Sequence, residues 1–244
     1  MKPRAVLAMM VALVTVGVSA RLGLWQVARM HEKQSLRASF DSTLAAEPTP
    51  IATLRTGAPL AHRKVGATGT YDSAHQFLLS ARSHEGDTGV GVVTPLVMAD
   101  GRAVLVDRGW MPALDAMTAD PTAVAEPGEQ SVVGLAREIP AASGPTRWVR
   151  LPNQHAILWS TYSLSRDSLA ARVPYPLLGV LIEQLPGPGV PAIPRREAPE
   201  RPDPAMHFWY AVQWFAVAMI VGIGSFVLGR RVARAAHAAP PTDT

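Results

Sequence analysis

Two stretches without a single charged residue frame this chain. Residues 5–20 read AVLAMMVALVTVGVSA, and residues 208–229 read FWYAVQWFAVAMIVGIGSFVLG. The second has 22 residues. As a helix it is roughly 33 Å long, enough to cover a hydrocarbon core of about 30 Å. Trp209 and Tyr210 open it, as interfacial aromatics do. The first has 16 residues, roughly 24 Å. It spans only if the helix continues through Arg21 towards Trp25, with Arg21 snorkelling to the headgroups. A cleaved signal peptide is the rival reading. Lys2 and Arg4 precede the apolar stretch, and Val18-Ser19-Ala20 resembles a small-residue cleavage site.

Two spans place both termini on one side. Lys2, Arg4, Arg230, Arg231 and Arg234 flank the spans there, which favours cytoplasmic termini. Arg21, Arg29, Lys33 and Arg37 lie on the opposite flank, ahead of a long translocated region where the charge rule is weakest. The central domain is therefore expected outside the cytoplasm. A net charge of +4 suits anionic lipid or an acidic ligand. No basic run carries interleaved aromatics, which argues against nucleic acid as a partner. The chain has no cysteine, so disulfides and thiolate chemistry are excluded.

Leu22, Gln26, Arg29 and Lys33 recur at helical spacing and define one face of a stalk. This helix is expected to run to about Leu44 and to stop before Pro48 and Pro50. Short strand patterns follow: Val65–Tyr71, Phe77–Ala81, Gly89–Met98, Arg102–Val106, Ser131–Ala136 and Leu177–Leu185. Ala99-Asp100-Gly101 reads as a hairpin turn. Ser163–Arg172 reads as a helix capped by Ser163 or Ser165. Residues 112–129 and 139–156 look irregular. Residues 186–204 hold seven prolines in nineteen positions and read as a semi-rigid tether.

The expected architecture is an α+β membrane protein, with two transmembrane helices flanking a mostly antiparallel β extracytoplasmic domain. Its segments are a first transmembrane helix (1–28), a helical stalk (29–50), a β-rich domain (51–185), the proline-rich tether (186–204), a second transmembrane helix (205–229) and a basic tail (230–244).

Familiar catalytic patterns are missing. His84–Pro95 (HEGDTGVGVVTP) lacks the phosphate-loop spacing and reads as a glycine-eased turn entering a strand. The seven histidines form no HExxH or other compact ligand pair, and there is no G-x-S-x-G. Asp107 and Arg108, in VLVDRGW, are adjacent opposite charges at a strand end, which usually satisfy a turn or a neighbouring backbone. His207 stands apart, at the entrance to the second apolar run. On a helix it shares a face with Tyr210, Ala211 and Trp214. Two readings stay open for it: an interfacial histidine hydrated at the headgroups, or a neutral imidazole able to ligate haem iron.

Gly23-Leu24-Trp25-Gln26, with Arg29 and Lys33 after it, resembles the first motif of the surfeit locus protein 1 family. Gly69 and Tyr71 fall in its next block. Arg82, Gly86, Gly89, Val93, Thr94, Pro95 and Leu96 match its R…G…G…TPL pattern. Val104–Pro112 (VLVDRGWMP) resembles its central signature. His207, Tyr210, Ala211, Gln213, Trp214 and Phe215 match its H..YA.QWF pattern. The run before His207 (Pro204-Ala205-Met206), the strip from Ala113 to His155 and the proline-rich tether depart from the family.

The resemblance implies a non-enzymatic assembly factor for haem-copper cytochrome c oxidase, in the inner membrane of a bacterium as a multi-pass protein with its central domain in the periplasm. It implies haem a as cofactor, transiently held during maturation of subunit I, with His207 as the iron ligand. The implied partners are subunit I, the haem a synthase and the lipid bilayer. Spacing adds Tyr210 and Trp214 beside the ring, and Arg29 and Lys33 as donors to the propionates. The alternative for Gln26 is a bridge between the two helices, since an amide near lipid seeks a partner. Asp107–Trp110 is expected to hold the fold. A scaffold acting by contact alone, without haem, is the second reading, and a two-span hydrolase the third.

Overall fold

The computed structural model describes residues 3–53, 63–141, 147–152 and 157–238. The chain forms two compact units: Met1–Asp41 with Arg201–Thr244, and Ser42–Glu200.

The first unit is built on two long helices. Helix α1 runs without interruption through Pro3–Ala45, and its end matches the stop signal of Pro48 and Pro50. Its 43 residues are about 65 Å long, so it outruns any bilayer. Both α1 and the last helix of the chain, Ala205–Ala238, are long and apolar enough to cross a membrane. Large side chains such as Leu13, Val14, Met219 and Ile220 are exposed along them. In water such surfaces are costly; in lipid they are not. The last helix begins where Pro202 and Pro204 end and where Asp203 accepts the Ala205 N–H at 2.9 Å.

Among the described residues the second unit holds nine strands: β1 Thr49–Pro50, β2 Lys64–Tyr71, β3 His75–His84, β4 Asp87–Val97, β5 Ala103–Pro112, β6 Glu129–Glu138, β7 Val149–Leu151, β8 Ile157–Thr161 and β9 Leu177–Gln184. Their order is β1-β2-β6-β9-β5-β4-β3-β8-β7. A further pairing joins β2 to β4, Thr70 opposite Val97 and Tyr71 opposite Leu96. It closes β2, β6, β9, β5 and β4 into a ring. Most pairings are antiparallel, as the alternating patterns predict; β1 with β2, β3 with β8 and β5 with β9 are parallel.

The alternation of these strands shows where the core sits. Val65, Ala67, Leu96, Val104, Val106, Val132, Ala136, Val180 and Ile182 come from all five strands and fill the ring. A second core, with Phe77, Leu79, Val93, Leu105 and Leu181, is covered by Leu164 and Leu169. Leu169 lies on helix α2, Arg166–Ala170. That helix is shorter than the expected Ser163–Arg172. Ser165 is its N-cap but makes no side-chain capping bond, so little favours extending it. Helix α3 is then Ala205–Ala238.

Three segments differ from their sequence pattern. Residues 139–156, expected to be irregular, contribute β7, which pairs with β8. Strand β5 continues to Pro112 by crossing a bulge, where Val92 faces Gly109 and Val93 faces Asp107. The proline-rich stretch does not simply bridge. Its residues up to Glu200 belong to the β unit, Arg196 is 8% exposed, and Trp110 and Arg195 exchange backbone hydrogen bonds of 2.9 and 2.7 Å. The cause is Arg196, whose charge finds partners only inside the domain.

Candidate functional site

The two sequence blocks farthest apart in the chain meet in the helical unit. His207, on the first turn of α3, is half-buried. Its Nδ1 lies 2.8 Å from Gln26 Oε1, across 181 residues of sequence. Gln26 is 9% exposed, and with Ser19 and Gly23 it forms the buried seam of α1. The helices approach closely at Gly23, where a Cβ would sit 2.7 Å from the Phe215 ring and make that ring shift. Ala211, one turn from His207, is 4% exposed. Small residues that bring backbones close, with a polar pair beside them, are how helices associate in lipid.

The other expected site residues lie on the same two helices, and among the described residues none is hydrogen-bonded to this pair. Trp214 shares the His207 face of α3 and is half-buried; Tyr210 is 47% exposed. Lys33 is half-buried. Arg29 is engaged locally: its guanidinium bonds Glu32 at 2.7 Å and lies 5.7 Å from the centre of the Trp25 ring. Such an exposed i,i+3 pair is worth no more than about 1 kcal/mol, so it yields readily to a stronger anion. The Gln26 link was legible as an amide near lipid, but its partner was not.

The chemistry at His207 follows from the hydrogen bond. An amide carbonyl only accepts, so the bond needs a proton on Nδ1. The lone pair of the neutral ring is then on Nε2. That is the state in which an imidazole binds a metal, and the residues present fit an iron ligand.

The β unit offers a different surface. A cleft of about 320 Å³ opens beside β5, lined by Arg82, Asp107, Trp110, Arg137, Arg195 and Glu200 among others. Asp107 Oδ1 accepts the Gly109 N–H at 3.0 Å, the bond to a neighbouring backbone expected for it, made at the bulge inside β5 and not at a strand end. Arg108 turns the other way, into the closed ring, as the bulge dictates. Burial pushes the Asp107 carboxyl above its ordinary range. The Gly109 bond opposes this, and nearby Glu183 adds to it. A carboxyl raised in this way holds its proton more tightly folded than unfolded. Its stabilising contribution is present below about pH 4 and is lost as pH rises through the raised value. Asp107→Asn is therefore expected to flatten the fall in stability above pH 4. Urea midpoints of both proteins from pH 4 to 7 check this; parallel curves would refute it.

Comparison with known proteins decides the family. The SURF1 family model matches residues 13–219, the whole of the β unit and more than half of the helical unit. The chain belongs to the SURF1 family. A SURF1-like protein of Mycobacterium tuberculosis (strain ATCC 25618 / H37Rv) is 31% identical over 90% of this chain and 82% of its own. A SURF1-like protein of Monosiga brevicollis is 27% identical, over 92% and 88%. The cytochrome oxidase assembly protein SHY1 of Saccharomyces cerevisiae is 29% identical over 62% of this chain and 41% of its own. The SURF1 match takes in Gln26 and His207 together. The expectation of family membership is thereby met.

Proposed function

We propose that this chain is a membrane-anchored, non-enzymatic assembly factor for a haem-copper cytochrome oxidase, and that it holds haem a as cargo on His207. SURF1 membership supports the oxidase, through a yeast relative whose name states that role. Two helices of spanning length support the membrane, and the basic residues at both termini support a bacterial inner membrane with the β unit on the periplasmic side. The observation that carries the haem reading is His207. It is a half-buried imidazole, with Nε2 as its lone-pair nitrogen, immediately before the uncharged run 208–229.

The residues divide the work. His207 Nε2 takes the iron, and lipid takes the isoprenoid tail. Trp214 and Tyr210 offer apolar surface to the ring, and Lys33 with Arg29 offers donors to the propionates. The β unit docks on subunit I or on the haem a synthase.

The test is an optical spectrum of the detergent-purified protein from cells that make haem a, beside its His207→Ala variant. A haem a band is expected in the first and its loss, with failed oxidase maturation, in the second. No band in the wild type would overturn the haem reading in favour of a scaffold that stabilises an oxidase intermediate by contact.

A further inference from the structure

We infer that Gln26 is the positioning residue for His207: its side-chain carbonyl fixes the imidazole in the tautomer that presents Nε2 as the ligand atom. The role in haem binding rests on the proposed function above; the control of the tautomer does not.

Three features make Gln26 suited to this. Its carbonyl is 2.8 Å from His207 Nδ1, within normal hydrogen-bond length. It is 9% exposed, so water competes poorly for the ring. Both partners are held by close packing, Gln26 one turn from the Gly23–Phe215 contact and His207 one turn from the buried Ala211. The ring is thus oriented before any ligand arrives, with its hydrogen bond among the described residues made at Nδ1 and not at Nε2.

The choice of an amide also has a reason. A carboxylate at this place would pull harder on the Nδ1 proton and make the ring more basic, but it would put a second charge beside lipid. An apolar residue would leave Nδ1 without an acceptor and let the proton move to Nε2, which blocks the ligand atom. Glutamine accepts without charge. This gives the first motif of the chain a function through the last one: the glycine of GLWQ lets the helices close, and its glutamine sets the state of the histidine opposite.

The experiment uses the full-length chain in detergent, labelled with ¹⁵N-histidine. Long-range ¹H–¹⁵N spectra report which nitrogen of His207 carries the proton, with His207→Leu to assign the signal. Haem a is then titrated into the wild type, Gln26→Leu and Gln26→Glu. The wild type is expected to show the proton on Nδ1. Gln26→Leu is expected to show mixed tautomers and to bind haem a about 10–100-fold more weakly. Gln26→Glu is expected to keep the Nδ1 proton, to bind, and to lower the reduction potential of the bound haem. Should Gln26→Leu fail to fold, the glutamate variant still decides, because only a direct bond to Nδ1 makes the His207 Nδ1 ¹⁵N signal shift with the change of acceptor, before any haem is added. A wild-type proton on Nε2, or a Gln26→Leu protein unchanged in tautomer and affinity, overturns the inference. A wild type with the Nδ1 proton that binds no haem a overturns the proposed function and leaves the role of Gln26 supported.

Discussion

Glu126→Ala is expected to cost the β unit about 3–5 kcal/mol. Glu126 is ion-paired with two buried guanidiniums, Arg108 and Arg196, whose side chains are 2% and 1% exposed. Arg108 gives it bonds of 3.1 Å from Nε and 2.7 Å from Nη2, and stacks 5.0 Å from the centre of the Tyr71 ring. Arg196 bonds it through Nη2, and turns its other nitrogens to Gln184 at 3.0 Å and to the Pro194 carbonyl at 2.8 Å. Burial pushes the Tyr71 phenol well up, with the Glu126 charge adding to it, so the ring stays neutral among these ions.

Removing the carboxylate leaves two buried cations facing each other without a counter-charge. That penalty, rather than the worth of the pairs, sets the size of the loss. Thermal unfolding of the full chain in detergent should show a midpoint lower by about 10 °C. Glu126→Gln keeps an acceptor without the charge and should fall between. Adding Arg196→Met to Glu126→Ala should restore part of the loss, because one stranded charge is gone. A Glu126→Ala protein within about 1 kcal/mol of wild type would mean that water reaches the cluster and that the ions are not buried in solution.

Gly109→Ala is expected to cost about 3 kcal/mol by a different route. Gly109 sits at φ +103°, where an L side chain is strained. A Cβ there would also stand 2.1 Å from the Arg195 carbonyl oxygen and 2.5 Å from its carbon. Both are backbone atoms, so no rotamer change relieves the contact. The segment must lift, and the paired bonds between Trp110 and Arg195 go with it. Gly101→Ala is the control. Gly101 is at φ +79° with nothing within 4 Å of a built Cβ, so it reports backbone strain alone, about 1 kcal/mol. Limited trypsin digestion reads the difference directly. Arg195-Arg196 should become the early cleavage site in Gly109→Ala and stay protected in Gly101→Ala. Equal protection in both would show that the strap does not depend on the glycine.

Both changes act on residues 191–196, which lead towards α3. The chain thus fastens its exit segment to the β unit with an ion cluster and a two-bond bridge, and neither involves the helical unit. The site at His207 should keep its tautomer in both variants, which separates loss of the strap from loss of the haem site.

What the sequence could determine is what depends on neighbours in the chain. Two uncharged runs determine two helices of spanning length, because hydrophobic length is a local sum. Alternation places Val104 and Val106 on one face of β5, and prolines end α1 where they stand. What the tertiary structure alone decided is where charges and amides find partners. Arg195-Arg196-Glu197 reads as a solvated charged run, yet Arg196 is buried because Glu126, 70 residues earlier, is folded beside it. Gln26 and His207 are each legible as polar groups near lipid, but the pairing across 181 residues is not. A hydrogen bond is short-ranged and directional, so its partner is a property of the packed helices and not of any window of sequence.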